Sequence, residues 1–330
     1  NLSDYYLTEN YLDSVPVLLN LALSYDELSS EAYTLRGYYN GLIGNRDRAL
    51  NDLEKAIKLN PNFGRAYYMM GIMYLSFDFV KALESYHKAI CFDRGKRLAN
   101  YYWNIGGAYF WTGFLDKSRH YFHEGMKLSG DSAYYYYAMA QNAFFSGEDN
   151  KAIDYSRKAI LLDSTTDKGY LAQALLRSGK HKEALAVYES WIDDMNESGG
   201  FDPRYAYRIA YASWRNGLTE KAEYYFEKQI EYSSTLINLN RPWAQDYFNY
   251  YDLAGVYAFR GEKEIAYEIL KAFNQIQEVP FWTDALIKRE PFFDNIRDEP
   301  EFQQILRDVE AKYQASHERV RQWLEENEML

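Results

Sequence analysis

The chain has 330 residues, a net charge of −11 and a hydrophobic content of 47%, and aromatic residues make up 18% of it. The acidic balance argues against nucleic acid as a direct partner, because phosphate binding needs a basic surface. The single cysteine, Cys91, excludes an internal disulfide framework and any multi-cysteine metal site, and no apolar run approaches the roughly 18 residues that span a bilayer. We expect Cys91 to fill a small space in the core.

The first complete structural unit covers residues 30–63. It contains two helical blocks of apolar and small residues, which are split at Gly44-Asn45-Arg46-Asp47. Gly37 of the first block recurs 34 residues later as Gly71, and a 34-residue period of helix-turn-helix units predicts an α-solenoid. Residues 1–29 precede this unit and are interpreted as a truncated repeat.

A glycine at the turn inside each unit, together with a small residue five positions later, sets the register. The turn glycines are Gly44, Gly113, Gly147, Gly179, Gly217 and Gly261. The small residues are Ala49, Ser118, Ala152, Ala184, Ala222 and Ala266. From Gly113 onward both series advance by 34, 32, 38 and 44 residues. Insertions therefore lie outside the turn, in the connections between units, where loops tolerate them.

This register predicts seven repeats within an array that spans residues 1–280. The repeats cover residues 30–63, 64–98, 99–132, 133–166, 165–198, 203–236 and 247–280. The fifth has a weaker first helix than the others. About ten extra residues around Thr235–Asp246 either lengthen the second helix of the sixth repeat or form a loop at Asn240-Arg241-Pro242.

Residues 281–330 differ from the repeats and are predicted to cap the array. A short helix at Phe281–Arg289 is followed by an irregular connector at Phe292–Asp298, and Pro300 suits the first position of a long helix. The apolar stripe of that helix consists of Phe302, Ile305, Leu306, Val309, Tyr313, Val320, Trp323 and Leu324. We expect the helix to shield the last repeat; the alternative is that its distal half carries a homodimer contact.

Two stretches resemble the tetratricopeptide repeat (TPR) signature. They are Tyr67-x-x-Met70-Gly71-x-x-Tyr74, followed by Ala82-x-x-x-Tyr86-x-x-Ala89, and Tyr102-x-x-Ile105-Gly106-x-x-Tyr109. The resemblance implies an all-α fold, a right-handed α-α superhelix of about seven repeats with an N-terminal partial repeat and a C-terminal capping helix. The segment from Glu290 to Phe302 resembles the closing segment of TPR regions in multidomain bacterial regulators of transcription or signalling, which implies a sensing or interaction role.

The TPR superhelix implies that the first helices line a concave groove. Aromatic rings with interspersed Arg and Gln occupy the inward positions here, and such rings supply contact area at low entropy cost, which suits a protein or peptide segment. We expect about half of the rings to be buried between repeats, and repeats two to four and six to be the better ligand sites. The candidate residues are Arg65, Tyr68, Trp103, Phe110, Tyr134, Tyr137, Gln141, Phe144, Arg204, Tyr207, Tyr211, Trp214 and Tyr251, and the wider set adds Tyr38, Asn100, Gln173 and Phe248.

The sequence shows no catalytic constellation and no cofactor motif, so a non-enzymatic scaffold is predicted. His120 and His123 are interpreted as exposed helix residues rather than as a weak metal site. The groove lacks the Lys and Asn set with which chaperone-binding TPR domains clamp a C-terminal carboxylate. Two alternatives stay open: self-association through the C-terminal helix, and a glycan or small-molecule receptor. A cytoplasmic location is favoured over the soluble part of a membrane-tethered regulator.

Overall fold

The structure is a computed structural model, and it describes residues 15–197, 200–238, 247–276 and 278–330. Within these ranges the regular elements are seventeen α-helices and two short 3-10 helices, and there is no strand. The all-α prediction is therefore confirmed. In the same ranges no helix combines the length and the apolar character that crossing a bilayer requires.

The described residues divide into two compact units. Unit 1 contains residues 15–129 and 313–330, and the described residues of unit 2 lie within 130–312. The helices of unit 1 are α1 (Val15–Tyr25), α2 (Ser30–Leu42), α3 (Arg46–Leu59), α4 (Gly64–Tyr74), α5 (Phe79–Phe92), α6 (Leu98–Trp111) and α7 (Leu115–Ser129). Those of unit 2 are α8 (Ser132–Phe145), α9 (Asp149–Leu162), α10 (Gly169–Arg177), α11 (His181–Glu197), α12 (Ala206–Arg215), α13 (Thr219–Asn238), α14 (Tyr247–Arg260), α15 (Lys263–Phe273) and α16 (Phe281–Ile287). The last helix, α17 (Pro300–Glu326), contributes its first part to unit 2 and its second part to unit 1.

The six predicted turn glycines all end a helix in the left-handed conformation. Their φ angles lie between 75° and 81°, a region in which only glycine avoids a steric penalty. The residue that follows each glycine donates its N–H to a carbonyl five positions earlier, as Asn45 does to Asn40 at 2.8 Å. The small residue five positions after each glycine is at most 2% exposed. The turn prediction is confirmed at all six positions.

Glycines inside the first helices let the second helix of the same hairpin approach closely. A Cβ atom added to Gly71 would lie 2.6 Å from the ring of Tyr86, and one added to Gly106 would lie 2.6 Å from the ring of Phe122. Real Cβ atoms do not tolerate that distance, so the aromatic ring occupies the space that a side chain would need. This contact explains the small residues in the first-helix pattern.

The core of unit 1 includes residues from the end of the chain. Val320 and Leu324 of α17 are fully buried in one cluster with Phe79, Tyr86 and Tyr109. The distal half of the predicted apolar stripe thus packs on α5 and α6 of its own chain. The homodimer hypothesis assigned these same apolar side chains to a second copy, and the structure does not leave them free for that contact.

In unit 2 the connector after α16 is more ordered than the sequence indicated. Pro291–Phe293 forms a 3-10 helix, and Phe292 and Phe293 are 1% and 0% exposed. Phe292 belongs to a core cluster with Tyr207 of α12 and Phe226 of α13. The expectation of an irregular connector is therefore wrong for Phe292 and Phe293, whose large buried side chains fix the backbone, and it holds for residues 294–298, which form turns.

The structure also bears on the predictions for the sixth repeat, the fifth repeat and Cys91. Helix α13 has 20 residues and reaches Asn238, so the second helix of the sixth repeat is lengthened as one alternative stated. The first helix of the fifth repeat, for which the sequence pattern is weaker, forms as α10 and has nine residues. Cys91 is exposed, which contradicts its expected role in the core. The loop at Asn240–Pro242 and the first 14 residues of the truncated repeat lie outside the described residues.

Candidate partner-binding site

The candidate residues of unit 1 are largely engaged within the array, by their own or neighbouring repeats. Arg65 forms an ion pair with Glu31 at 2.8 Å, and Tyr68 is half-buried. Trp103 and Phe110 are 8% and 1% exposed. Because buried rings offer no face to a ligand, repeats two and three present less of the predicted surface than expected.

The packing of Trp103 shows why its indole is not accessible to a ligand. Its indole lies 5.9 Å from the ring of Phe122, measured between centroids. A Cβ atom added to Gly125 would lie 2.9 Å from the same indole, so the ring fills the space above a second-helix glycine. Trp103 therefore belongs to the intra-repeat packing.

In unit 2, a hydrogen-bonded tyrosine group connects α8 to α10. Gln141 donates to the hydroxyl of Tyr170 at 2.7 Å, and the rings of Tyr137 and Tyr170 lie 5.4 Å apart. Burial raises the pKa of Tyr170 to about 12 and the pKa of Tyr137 further, so both hydroxyls stay neutral. Tyr134, at 43% exposure, is the accessible member of the group.

Asp167 joins this group to the start of the sixth repeat. It accepts a hydrogen bond from the Tyr205 hydroxyl at 2.8 Å and one from the backbone N–H of Gly169 at 2.7 Å. Burial raises the pKa of this carboxyl, and the two hydrogen bonds oppose the rise. The candidate Arg204 instead turns back to Asp202, to which its Nε donates at 2.9 Å.

Tyr207 and Tyr251 belong to the core of unit 2. Each is 1% exposed, and neither hydroxyl has a hydrogen-bond partner among the described residues. With Trp103, Phe110 and Phe144, five of the ten rings in the candidate set are buried. Burial removes Tyr207 and Tyr251 from any binding role by direct contact.

The first helices α8, α10 and α12 and the closing segment 286–292 surround a cavity of about 460 Å³. Phe144, Gln173 and Tyr211 bring the predicted first-helix positions to its wall. Next to it, the ring of Trp214 stacks on that of Tyr211 with 6.1 Å between centroids, and Trp214 is 46% exposed. The other lining residues are Leu176, Arg177, Gly179, His181, Arg208, Arg215, Leu286, Arg289, Glu290, Pro291 and Phe292. We call this site the arginine cavity.

Four arginines of the cavity were not among the predicted site residues. Arg177 lies 3.7 Å from the ring centroid of Phe144 and donates to the carboxylate of Asp149. Arg208 and Arg215 could have been found, because with Tyr211 they follow the i, i+3, i+7 spacing of one helix face. Arg289 lies beyond the repeats, where the register gives no signal. It donates to the carbonyl of Phe145 at 2.6 Å.

The charges in the cavity affect one another. Burial lowers the pKa of the Arg289 guanidinium, and the positive charge of Arg177 lowers it further. Burial raises the pKa of Glu290, while Arg208 and Arg177 oppose that rise. At the rim, burial and then the charge of Arg215 lower the pKa of His181, so the arginines carry the positive charge.

The tetratricopeptide repeat model matches residues 30–63 and 133–166, the first and fourth of the predicted repeats. The chain contains tetratricopeptide repeats. Each matched segment contains one helical hairpin, α2 with α3 and α8 with α9. The other five predicted TPR segments stay predictions, and each of them also contains two helices.

Solved structures share this fold. The chain is similar to yeast Tom70, with 16% identity, a TM-score of 0.56, and coverage of 91% of this chain and 62% of that one. It is also similar to the Cut9–Hcn1 hetero-tetramer of APC/C, with 16% identity, a TM-score of 0.53, and coverage of 71% and 45%. Among curated proteins none matches the sequence. At these identities the likeness concerns the fold.

Proposed function

We propose that the chain is a non-catalytic scaffold that binds a segment of a partner protein on the first-helix surface of unit 2, around the arginine cavity. Proteins with tetratricopeptide repeats generally mediate protein–protein interaction. The observation that carries the proposal is the pair of Tyr211 and Trp214 on α12. Tyr211 lines the cavity, and the ring of Trp214, which is 46% exposed, stacks on it beside the cavity.

The rings at the cavity are held in place before any ligand arrives. Trp214 packs edge-on against Phe259 at 5.1 Å, and Tyr211 packs edge-on against the same ring at 5.8 Å. Aromatic side chains fixed in this way lose little further freedom when a ligand covers them. Partly exposed Trp and Tyr residues beside a pocket are typical of the positions that dominate protein interfaces.

The finer proposal is that this scaffold is the sensing part of a bacterial regulator. The resemblance of the segment from Glu290 to Phe302 to the closing segments of TPR regions in such regulators supports it. That segment also supplies one wall of the cavity, through Glu290, Pro291 and Phe292. A signal bound at the cavity would therefore contact the segment that carries the resemblance.

The test uses a random 12-residue peptide display library selected against the whole chain. We expect Trp214→Ala to weaken the selected peptides by at least about tenfold, which is the usual range for an interface Trp. Tyr224→Ala is the matched control, since Tyr224 is 57% exposed but lies on a second helix, α13. Unchanged affinity in the Trp214 variant, with the fold retained by circular dichroism, would contradict the proposal.

A small-molecule receptor is the second candidate, because a cavity of about 460 Å³ falls within the usual size range of ligand sites. Its rings and arginines would suit a sugar or an anionic metabolite. Thermal shifts across a panel of sugars and carboxylic acids distinguish the receptor from the peptide-binding scaffold. A rise in melting temperature that Tyr211→Ala abolishes, with no peptide selected, would favour the receptor.

A further inference from the structure

We infer that the arginine cavity recognises a carboxylate side chain, so that the partner segment bears an Asp or Glu next to an apolar residue. The inference rests on the proposed partner-binding function and specifies its ligand. It follows from guanidinium groups that lack carboxylate partners, from the sign of the charge in the cavity, and from the apolar part of its wall.

Arg208 has the least satisfied guanidinium group. It makes no ion pair within 4 Å, and its buried Nε has no hydrogen-bond partner among the described residues. Its guanidinium lies 4.4 Å from the ring centroid of Tyr207, which fixes the orientation of the planar group. The two Nη groups of the same guanidinium are the donors that a ligand carboxylate would engage, in charge-assisted hydrogen bonds.

Two further arginines reach the cavity without a carboxylate partner. The hydrogen bond of Arg215 runs to the Tyr211 hydroxyl and is long, at 3.4 Å. Arg289 donates to two backbone carbonyls, those of Ala285 and Phe145, at 2.9 and 2.6 Å. Neither group therefore has an ion-pair partner at the cavity; Asp149 and Asp284 attract the charge of Arg289 from outside the lining, and Arg215 is exposed. Arg177 differs, because Asp149 already neutralises it.

The single acid in the wall does not balance these charges. Glu290 forms no ion pair within 4 Å of its carboxylate in the described part of the chain, and its pKa is raised by burial. Asp252 also attracts the charge of Arg208, and Asp149 and Asp284 attract that of Arg289, but none of these three carboxylates lines the cavity. In a chain with a net charge of −11, this concentration of positive charge runs against the general balance. A bound anion would neutralise part of this positive charge.

The rest of the wall determines what must accompany the anion. Phe144, Leu176, Leu286 and Phe292 give the cavity an apolar side. A volume of about 460 Å³ holds a few side chains rather than a whole helix. The fitting ligand is thus a short segment in which a carboxylate and an apolar side chain enter together. Arginine suits the carboxylate because its planar fork can donate two parallel hydrogen bonds.

The experiment uses the same peptide library, with selection against the whole chain at two salt concentrations. We expect Asp and Glu to be enriched in the selected peptides next to an apolar position. The best peptide is then synthesised with an amidated C-terminus, so that no chain-end carboxylate contributes. Replacing its acidic residue by Gln or Asn should weaken binding at least tenfold, and added salt should weaken the acidic peptide more than its neutral analogue.

The protein variants are Arg208→Gln and Arg215→Gln, each of which should weaken the acidic peptide about tenfold and the neutral analogue less than twofold. Arg157→Gln is the charge-matched control, because Arg157 lies on the second helix α9 and pairs with Glu183 at 3.4 Å. If the neutral analogue binds as well as the acidic one while Trp214→Ala still abolishes binding, the carboxylate inference fails and the proposed function stands. If no peptide is selected, both fail.

Discussion

The ring of Phe292 packs against the ring of Tyr207, with 5.0 Å between their centroids. One belongs to the closing segment and the other to the first helix of the sixth predicted repeat. Both are 1% exposed, and Phe292 also lines the arginine cavity. The closing segment is therefore part of the core of unit 2 and part of the candidate site at the same time.

Replacing Phe292 by Ala should lower the free energy of unfolding by about 3–5 kcal/mol, because it removes a fully buried ring and leaves a cavity. Urea unfolding followed by circular dichroism measures the change. Leu161→Ala is the control, since Leu161 is 86% exposed and its loss should stay within about 0.5 kcal/mol. A loss below about 1 kcal/mol for Phe292→Ala would contradict the packing described here.

Replacing each of two neighbouring glycines of α6 by Ala should change the free energy of unfolding in opposite directions. A Cβ atom on Gly106 would lie 2.6 Å from the ring of Phe122, so Gly106→Ala should destabilise the chain by about 1–3 kcal/mol. Nothing lies within 4 Å of a Cβ atom on Gly107, so Gly107→Ala should stabilise it by about 0.5–1 kcal/mol through helix propensity. Thermal unfolding of the two variants gives the comparison. Stability changes of the same sign in the two variants would contradict the hairpin packing of unit 1.

The stability of unit 1 should fall on mild acidification because of His87. Burial, helped by the charge of Lys117, lowers the pKa of His87 to about 4, while an unfolded chain would protonate this residue near its ordinary pKa of 6.5. The folded state thus binds fewer protons between these values. Stability is full above pH 6.5 and decreases as the pH falls toward 4, by about 2–3 kcal/mol in total.

Replacing His87 by Gln should flatten this part of the pH profile, which chemical unfolding between pH 4 and 7.5 can measure. Gln keeps a polar group near the Tyr109 hydroxyl, with which the His87 ring nitrogen forms a hydrogen bond at 2.9 Å. His120→Gln is the matched control, because His120 is exposed on α7. An identical profile for the His87 variant and the unsubstituted chain would rule out this origin of the acid sensitivity.

The end of α17 should act on stability and not on oligomeric state. Leu324 is 0% exposed in the cluster with Tyr86 and Tyr109, so Leu324→Ala should cost about 2–4 kcal/mol. The exposed neighbour Glu325 gives a control of small effect as Glu325→Ala. We expect the same sedimentation mass for all three proteins. A dimer that becomes a monomer in the Leu324 variant without loss of stability would restore the self-association hypothesis.

The sequence was informative where a local requirement fixes the residue type. A left-handed turn requires Gly, so Gly113 and Gly147 predict their turns from the sequence alone. The close approach of paired helices requires a small residue, which is why Ser118 and Ala152 set the register. These requirements recur at regular spacing, and the helical hairpins could therefore be placed to within a few residues.

The candidate site was predictable only in part, because long-range contacts decide which side chains are covered. Tyr207 and Tyr211 are four residues apart on one helix and look equivalent in sequence. Phe292 contacts both, yet Tyr207 is buried and Tyr211 is half-buried at the cavity. Similarly, nothing in the repeat pattern brings Arg289 to Phe145. The arginines became a site only when the closing segment was placed against the first helices.

The central claim is that a partner segment lies on the first-helix surface of unit 2, and site-specific photo-crosslinking tests it most directly. A benzoylphenylalanine would replace Trp214 in one protein and Tyr224 in another, and each would be irradiated with the selected peptide. We predict a covalent adduct from position 214, on α12, and none from position 224, on α13. Crosslinking from position 224 with none from position 214 would contradict the account.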